Sequence, residues 1–223
     1  MLKDIIDLLA DPVDGTDLHG AEEFTRLVSD SGHSYDVARQ GYVTLAGGAG
    51  LRYSGDDATM IKDRETFLSR GHYAPFVESV THNVDLALDD AGVDDDAAVS
   101  ICEIGAGTGY YLSHTLDAIQ GARGVGIDVS VHAAKHLAKC HPRVGAVVAD
   151  AWARLPLRDD SIDAITVIFA PRNAAAVSDN RFDNISFDVV LRGYRQDQVD
   201  AVIENMQQRI IALENLTGTK EKG

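Results

Sequence analysis

The sequence predicts an α/β fold: a parallel sheet with alternating helices, led by a small lobe and followed by one long helix. Three observations carry that reading. From residue 99 onward, short apolar runs alternate with stretches of helical spacing. A glycine-rich loop separates the first run from its helix. The next two runs each close on an aspartate, Asp128 and Asp150. The 223 residues, 45 % apolar and 25 % charged, have ordinary globular composition, with room for one good-sized domain and an appendage.

Turn signals divide residues 1–50 into short segments: Asp11-Pro12, Asp14-Gly15, Ser31-Gly32 and the glycines at 47, 48 and 50. Leu27-Val28 and the run 42–45 read as short strands. Met60, Ile61, Phe67 and Leu68 give 57–70 helical spacing, and Phe76, Val77, Val80 and Val84 do the same for 75–88. Then come a strand over 99–104, a helix over 110–119, a strand over 124–127 and a helix over 131–140. A third strand follows over 144–149 and a fourth over 161–169, so the main sheet is expected to have four strands. Past 177 the composition turns polar. A helix over 197–216 then carries Val199, Ile203, Met206, Ile210 and Leu213 at the four-three spacing of a coiled-coil seam. The domains expected are a lobe over 1–50, a sheet domain over 51–177, and a linker with helical segment over 178–223.

The net charge of −15 argues against a polyanion partner, because a protein gripping phosphates usually presents a basic face. No apolar run reaches the roughly 18 residues of a bilayer span. The first eleven residues carry acids through their apolar stretch, unlike a secretory signal. Two cysteines, Cys102 and Cys140, make no disulfide framework and fit a reducing compartment, so a cytoplasmic location is expected.

The loop Glu103-Ile-Gly105-Ala-Gly107-Thr-Gly109 follows a strand and opens a helix, where free N–H groups and bare backbone admit a ligand. Such a loop alone is weak evidence. Asp128 lies about 20 residues on, where a carboxylate accepts ribose hydroxyls, and Asp150 with Ala151 ends the third strand, where an adenine amino group can be met. Singly, each aspartate also reads as a helix cap. Dinucleotide sites usually space their glycines Gly-x-Gly-x-x-Gly, one residue wider than here. An acid at 103 suits a cationic ligand such as S-adenosylmethionine better than a pyrophosphate. NAD is the second choice.

Further pieces extend the pattern: the run from Gly32-His33 to Gly41-Tyr42-Val43, the Gly71-His72-Tyr73-Ala-Pro75 junction, Gly126-Ile127-Asp128-Val-Ser130, Leu155-Pro156-Leu157, and Phe169-Ala-Pro-Arg172-Asn173. With them, residues 1–177 resemble the ribosomal large-subunit RNA guanine-N(1)-methyltransferase family. The resemblance implies a Rossmann-like class I methyltransferase sheet, here truncated, and methyl transfer from S-adenosylmethionine to a guanine ring nitrogen of ribosomal RNA. It implies cofactor contacts from Glu103, Gly105, Gly107, Gly109, Asp128, Asp150 and Ala151, and base contacts from Arg172 and Asn173. His72 and His114 are weaker candidates for a general base. Trp152 is a candidate to stack on adenine, and Tyr110 or Tyr111 to line the cofactor site. Cys102 is expected to be buried and inert.

Two departures from that family stand out. Its members typically begin with a zinc module, yet Asp11, Asp14 and Ser29 stand where the cysteines should be and only His33 remains. Carboxylate and hydroxyl donors make a poor structural zinc site, so no zinc is expected. Nothing after Val177 resembles the family's later strands, so reduced activity is expected. Instead, the segment that begins Phe187-Asp-Val-Val-Leu-Arg192-Gly193-Tyr194 resembles the start of a DivIVA domain, over about 185–216. That resemblance implies a homodimer through the C-terminal helix. A non-catalytic dimeric scaffold linked to DivIVA-type polar assemblies is the alternative function.

Overall fold

The structure is a computed structural model that describes residues 2–48, 50–94 and 97–170. Arg172, Asn173, the linker and the DivIVA-like helix lie outside the described residues.

Three strands, β1 (Leu18–Ala21), β2 (Arg26–Ser29) and β3 (Ser34–Asp36), form an antiparallel meander in the N-terminal lobe. The next strand, β4 (Tyr42–Thr44), leaves that lobe and joins the main sheet. Two helices follow. In α1 (Ala58–Leu68), the Asp57 carboxylate accepts from the N–H groups of Thr59 and Met60 at 2.8 and 2.9 Å, satisfying donors the helix cannot. Pro75 sits in the first turn of α2 (Ala74–Asp90), where its missing N–H costs nothing, and α2 buries Val77, Val80, Val84 and Leu88.

The alternating part follows the sequence reading closely. It comprises β5 (Ser100–Ile104), α3 (Tyr110–Ala118), β6 (Arg123–Asp128), α4 (Val131–Cys140), β7 (Val144–Val148) and β8 (Ala164–Val167). All pairings in the main sheet are parallel, in the order β4-β7-β6-β5-β8. The described sheet thus has five strands, one more than expected, because β4 pairs with β7 from about 100 residues upstream. The last strand is shorter than expected. It starts at Ala164 and stops before Phe169, whose positive φ of 54° cannot continue a strand.

The chain runs outward from β5 through β6 to β7, then returns to lay β8 on the other side of β5. That reversal opens a crevice at the carboxyl ends of β5 and β8, the place where open parallel sheets bind ligands. One face of the sheet packs on the helices, with Val84, Leu88, Leu112, Leu116 and Leu137 in the same core cluster as Ile101 and Ala146. The other face holds no described α-helix. Instead Leu2, Ile5, Leu8, Leu9, Leu18 and Leu27 from the lobe join Cys102, Ile104, Val125, Ile127 and Val147 in a second cluster. Ile5 fits because Gly145 is bare: a Cβ there would collide with its Cγ1. No helix among the described residues is long and apolar enough to cross a membrane.

Candidate functional site

At the carboxyl ends of β5, β6, β7 and β8 lies a cavity of about 490 Å³, within the range of small-ligand sites. Ile104, Gly105 and Gly107 form one wall, Asp128 and Val129 the next, and Asp150, Ala151 and Trp152 the third. Ile168, Phe169 and Ala170 approach from β8, while Tyr53, Gly55, Asp56 and Arg64 lie across from them.

The bend between β5 and α3 depends on glycine. Gly105 and Gly107 have φ of 71° and 55°, in the left-handed region that side chains resist. The N–H groups of Gly105 and Ala106 both donate to the Ile127 carbonyl, at 2.8 and 3.0 Å, tying the loop to the end of β6. Gly107 N–H donates to Asp128 Oδ2 at 2.8 Å, and Ser130 N–H to Asp128 Oδ1 at 2.8 Å. Asp128 therefore holds the loop and keeps acceptor capacity on both oxygens, since a carboxylate offers about four lone-pair sites. Burial pushes its carboxyl above the usual range, the two N–H bonds oppose this, nearby Asp56 adds to it and Arg64 counters it. Asp150 is buried and accepts from Trp152 N–H at 2.9 Å through Oδ1.

Glu103 differs from the other acids. It is 1 % exposed and accepts from Leu112 N–H at 2.9 Å, inside the first turn of α3. Burial raises its carboxyl to about 8, the Leu112 bond opposes this and Asp128 reinforces it. It does not line the main cavity but a smaller adjoining slot of about 220 Å³, together with Tyr73, Tyr110 and Tyr111. Gly109 lines neither space. It starts α3 at φ 79°, where a Cβ would lie 2.5 Å from Cys140 Sγ, so it serves the packing of α3 on α4.

The structure thus gathers Gly105, Gly107, Asp128, Asp150 and Ala151 around one cavity, with Trp152 half exposed at its edge. His72 and His114 line neither space; His72 tilts against Phe67 and His114 stands edge-on to Tyr110. Cys102 is fully buried, and burial pushes its thiol far up, as an inert core cysteine requires. Sequence reasoning missed Tyr53, Asp56 and Arg64. Nothing local marks the strap before α1 as part of a site on strands that come 50 residues later.

A second polar cluster lies in the lobe. Asp11 is fully buried and accepts from Val13 N–H and Tyr35 OH at 2.7 and 2.8 Å on Oδ1, and from His33 Nδ1 at 2.8 Å on Oδ2. Ser29 Oγ accepts from His33 N–H at 3.0 Å. Burial alone would raise the Asp11 carboxyl, but its hydrogen bonds together outweigh that and hold it below the usual range. One ligand atom each from Asp11, Asp14 and His33 lies within 4.8 Å of the others. These residues do not fit a structural zinc: there is no thiolate among them, and the Asp11 oxygens and His33 Nδ1 already serve each other and their neighbours.

Comparison with known proteins agrees with the fold class. Residues 101–186 match the family profile described as "Methyltransferase domain". A protein of Micromonospora griseorubida named "Putative 23S rRNA (guanine-N(1)-)-methyltransferase" is 41 % identical over 182 residues, 78 % of this chain and 61 % of that protein. The "23S rRNA (guanine(748)-N(1))-methyltransferase" of Streptomyces fradiae is 35 % identical over 173 residues, 78 % of this chain and 59 % of that protein. The chain therefore spans about three-fifths of the length of these relatives. Among solved structures, the amino pentose methyltransferase CalS10 from Micromonospora echinaspora, bound to SAM, aligns over 48 % of this chain and 41 % of its own, with 19 % identity and a TM-score of 0.37. Over residues 101–186 the chain is similar to methyltransferase domains, and over 78 % of its length it is a relative of the 23S rRNA guanine-N(1)-methyltransferases.

Proposed function

We propose that the chain binds S-adenosylmethionine in the cavity at the strand ends and transfers its methyl group to N1 of a guanine in ribosomal RNA. The convergence of Asp128, Asp150 and the Gly105–Gly107 bend on one space is the observation that carries this reading. When bound, the cofactor supplies an electrophilic methyl group on a sulfonium. The donor set fits it: the described lining residues include three carboxylates and one guanidinium, a wall that suits hydroxyls, an amine and a sulfonium. The pyrophosphate of NAD would meet those carboxylates with its own charge, which weighs against the second choice.

In this reading Asp128 accepts ribose hydroxyls while keeping the glycine bend in position, and Asp150 with Ala151 meets the adenine edge. Trp152 is proposed as a lid on the ring. Arg172 and Asn173, outside the described residues, are proposed to position the guanine; positioning accounts for much of the acceleration in such a transfer. The names of both relatives supply the substrate, and a cytoplasmic location goes with it. A homodimer through the C-terminal helix is a separate proposal, and equal sedimentation of the full chain and a 1–180 form would defeat it.

The decisive experiment is calorimetric titration with S-adenosylhomocysteine, followed by tritium transfer from labelled S-adenosylmethionine to 23S rRNA. Saturable binding and label retained in guanine are expected. No heat at millimolar ligand would favour the scaffold reading, and binding without transfer would confine the reading to the cofactor.

A further inference from the structure

The cavity wall suits every part of the proposed ligand except one. S-adenosylmethionine ends in an α-carboxylate, which Asp56, Asp128 and Asp150 would repel. Arg64 is the single cation among the described residues that line the cavity, and also among those that line the adjoining slot. The two spaces share Arg64, Gly105, Gly107, Ile168 and Phe169, so this guanidinium stands at the doorway between them. Its approach to the glycine bend is close: a Cβ on Gly107 would sit 3.8 Å from Arg64 Cδ.

The arginine is also held ready. Arg64 Nη2 donates to Asp56 Oδ2 at 2.7 Å. The Asp56 carbonyl accepts from Ser130 Oγ at 2.5 Å, which pins the strap before α1 to the start of α4. A Cβ on Gly55 would come within 2.9 Å of Ser130 and Val129, so strap and loop are in contact along that edge. Close by, Glu103 lines the slot, and an ammonium brought there would favour its ionised form. An amino-acid zwitterion laid over Gly105 and Gly107 would thus meet an acid at one group and an arginine at the other. Arginine presents a planar fork that matches a carboxylate in two parallel bonds.

We propose that Arg64 binds the α-carboxylate of the cofactor's methionine tail, which the smaller slot receives, and that it exchanges Asp56 for this carboxylate on binding. The proposal rests on the reading of the cavity as an S-adenosylmethionine site and assigns the residue that recognises the far end of that ligand.

The test compares two ligands by calorimetry on the full chain: S-adenosylhomocysteine, which has the tail, and 5′-methylthioadenosine, which lacks it. Arg64→Ala should weaken S-adenosylhomocysteine by about tenfold to a hundredfold, the range for a lost charge-assisted hydrogen bond, and leave 5′-methylthioadenosine within about twofold. Unchanged affinity for both ligands would overturn the assignment, as would equal loss for both, which marks a structural role. Asp56→Asn removes the competing carboxylate, so S-adenosylhomocysteine should bind a few-fold tighter; weaker binding would overturn the exchange. Failure of the unaltered chain to bind either ligand would instead defeat the cofactor site itself.

Discussion

Asp11 in the lobe is buried and Asp128 at the end of β6 is partly buried, and their surroundings push the two carboxyls in opposite directions. Asp11 faces Val13 N–H, Tyr35 OH and His33 Nδ1, with Asp14 on the turn beside it. Asp128 has two backbone donors and shares its cavity with Asp56 and Asp150. A buried acid whose donors outweigh its burial is at rest and belongs to the architecture. One left short of donors, among like charges, gains most from a ligand that brings hydroxyls or positive charge.

The sharpest way to break this contrast is to remove each acid in turn. Asp128→Ala should lower affinity for S-adenosylhomocysteine by about a hundredfold or more, since two hydrogen bonds to a charged acceptor are lost together. Retained affinity in a calorimetric titration would remove Asp128 from the site. Asp11→Ala should instead cost about 1–3 kcal/mol of unfolding free energy in urea, because the partly buried Tyr35 hydroxyl and the Val13 N–H lose their acceptor. Affinity of the folded fraction should hardly change. The Asp11 carboxyl is lowered in the folded state, so its contribution is present above the unfolded value near 4 and is lost as pH falls through the folded one. The gap between the unaltered chain and Asp11→Asn should therefore narrow below about pH 4, and a gap that is constant from pH 7 to 3 would contradict the assignment.

Glu103 carries the opposite sign. Its carboxyl is raised to about 8, so the stability it contributes is complete below the unfolded value near 4.3 and is lost as pH rises toward 8. Glu103→Gln keeps an acceptor for Leu112 N–H without the charge. It should be the more stable form at pH 8 by about 1–3 kcal/mol, with the difference fading toward pH 5. Parallel stability curves would show that Glu103 does not titrate in this range. A smaller effect is expected at Trp152, which is half exposed: Trp152→Ala should weaken S-adenosylhomocysteine by about three- to tenfold if the ring stacks on adenine, and leave thermal unfolding nearly unchanged. The smallest is metal removal. Prolonged dialysis against a chelator should leave the unfolding midpoint within about one degree, whereas a structural zinc would contribute to folding outright.

Much of this was legible because the informative features are local. The helices α3 and α4 and the strands β5, β6 and β7 each carry their own periodicity, and an aspartate closing a strand points into the crevice by geometry alone. The lobe was read less completely. Leu18-His-Gly-Ala21 and Ser34-Tyr-Asp36 lack the β-branched runs that mark strands, and they pair only because β2 offers an edge to each. The roles of Asp56 and Arg64 were invisible for another reason: they arise where α1 and its strap cross strands that are distant in sequence. Glu103 was legible as an acid beside the loop, but whether it faced a ligand or a helix start depended on burial, which no motif encodes.

The pairing of β4 with β7 has a consequence for how the protein is made. Tyr42, Val43 and Thr44 leave the ribosome roughly 100 residues before Ala146, Val147 and Val148, the partners they will bond. Through that interval Ile5, Leu8 and Leu9 also have no sheet to rest on, because the surface they cover is still being translated. These segments are therefore synthesised well before they can lock in place. During that wait their apolar residues are exposed to whatever holds nascent chains, and a translational pause placed before residue 144 would lengthen it.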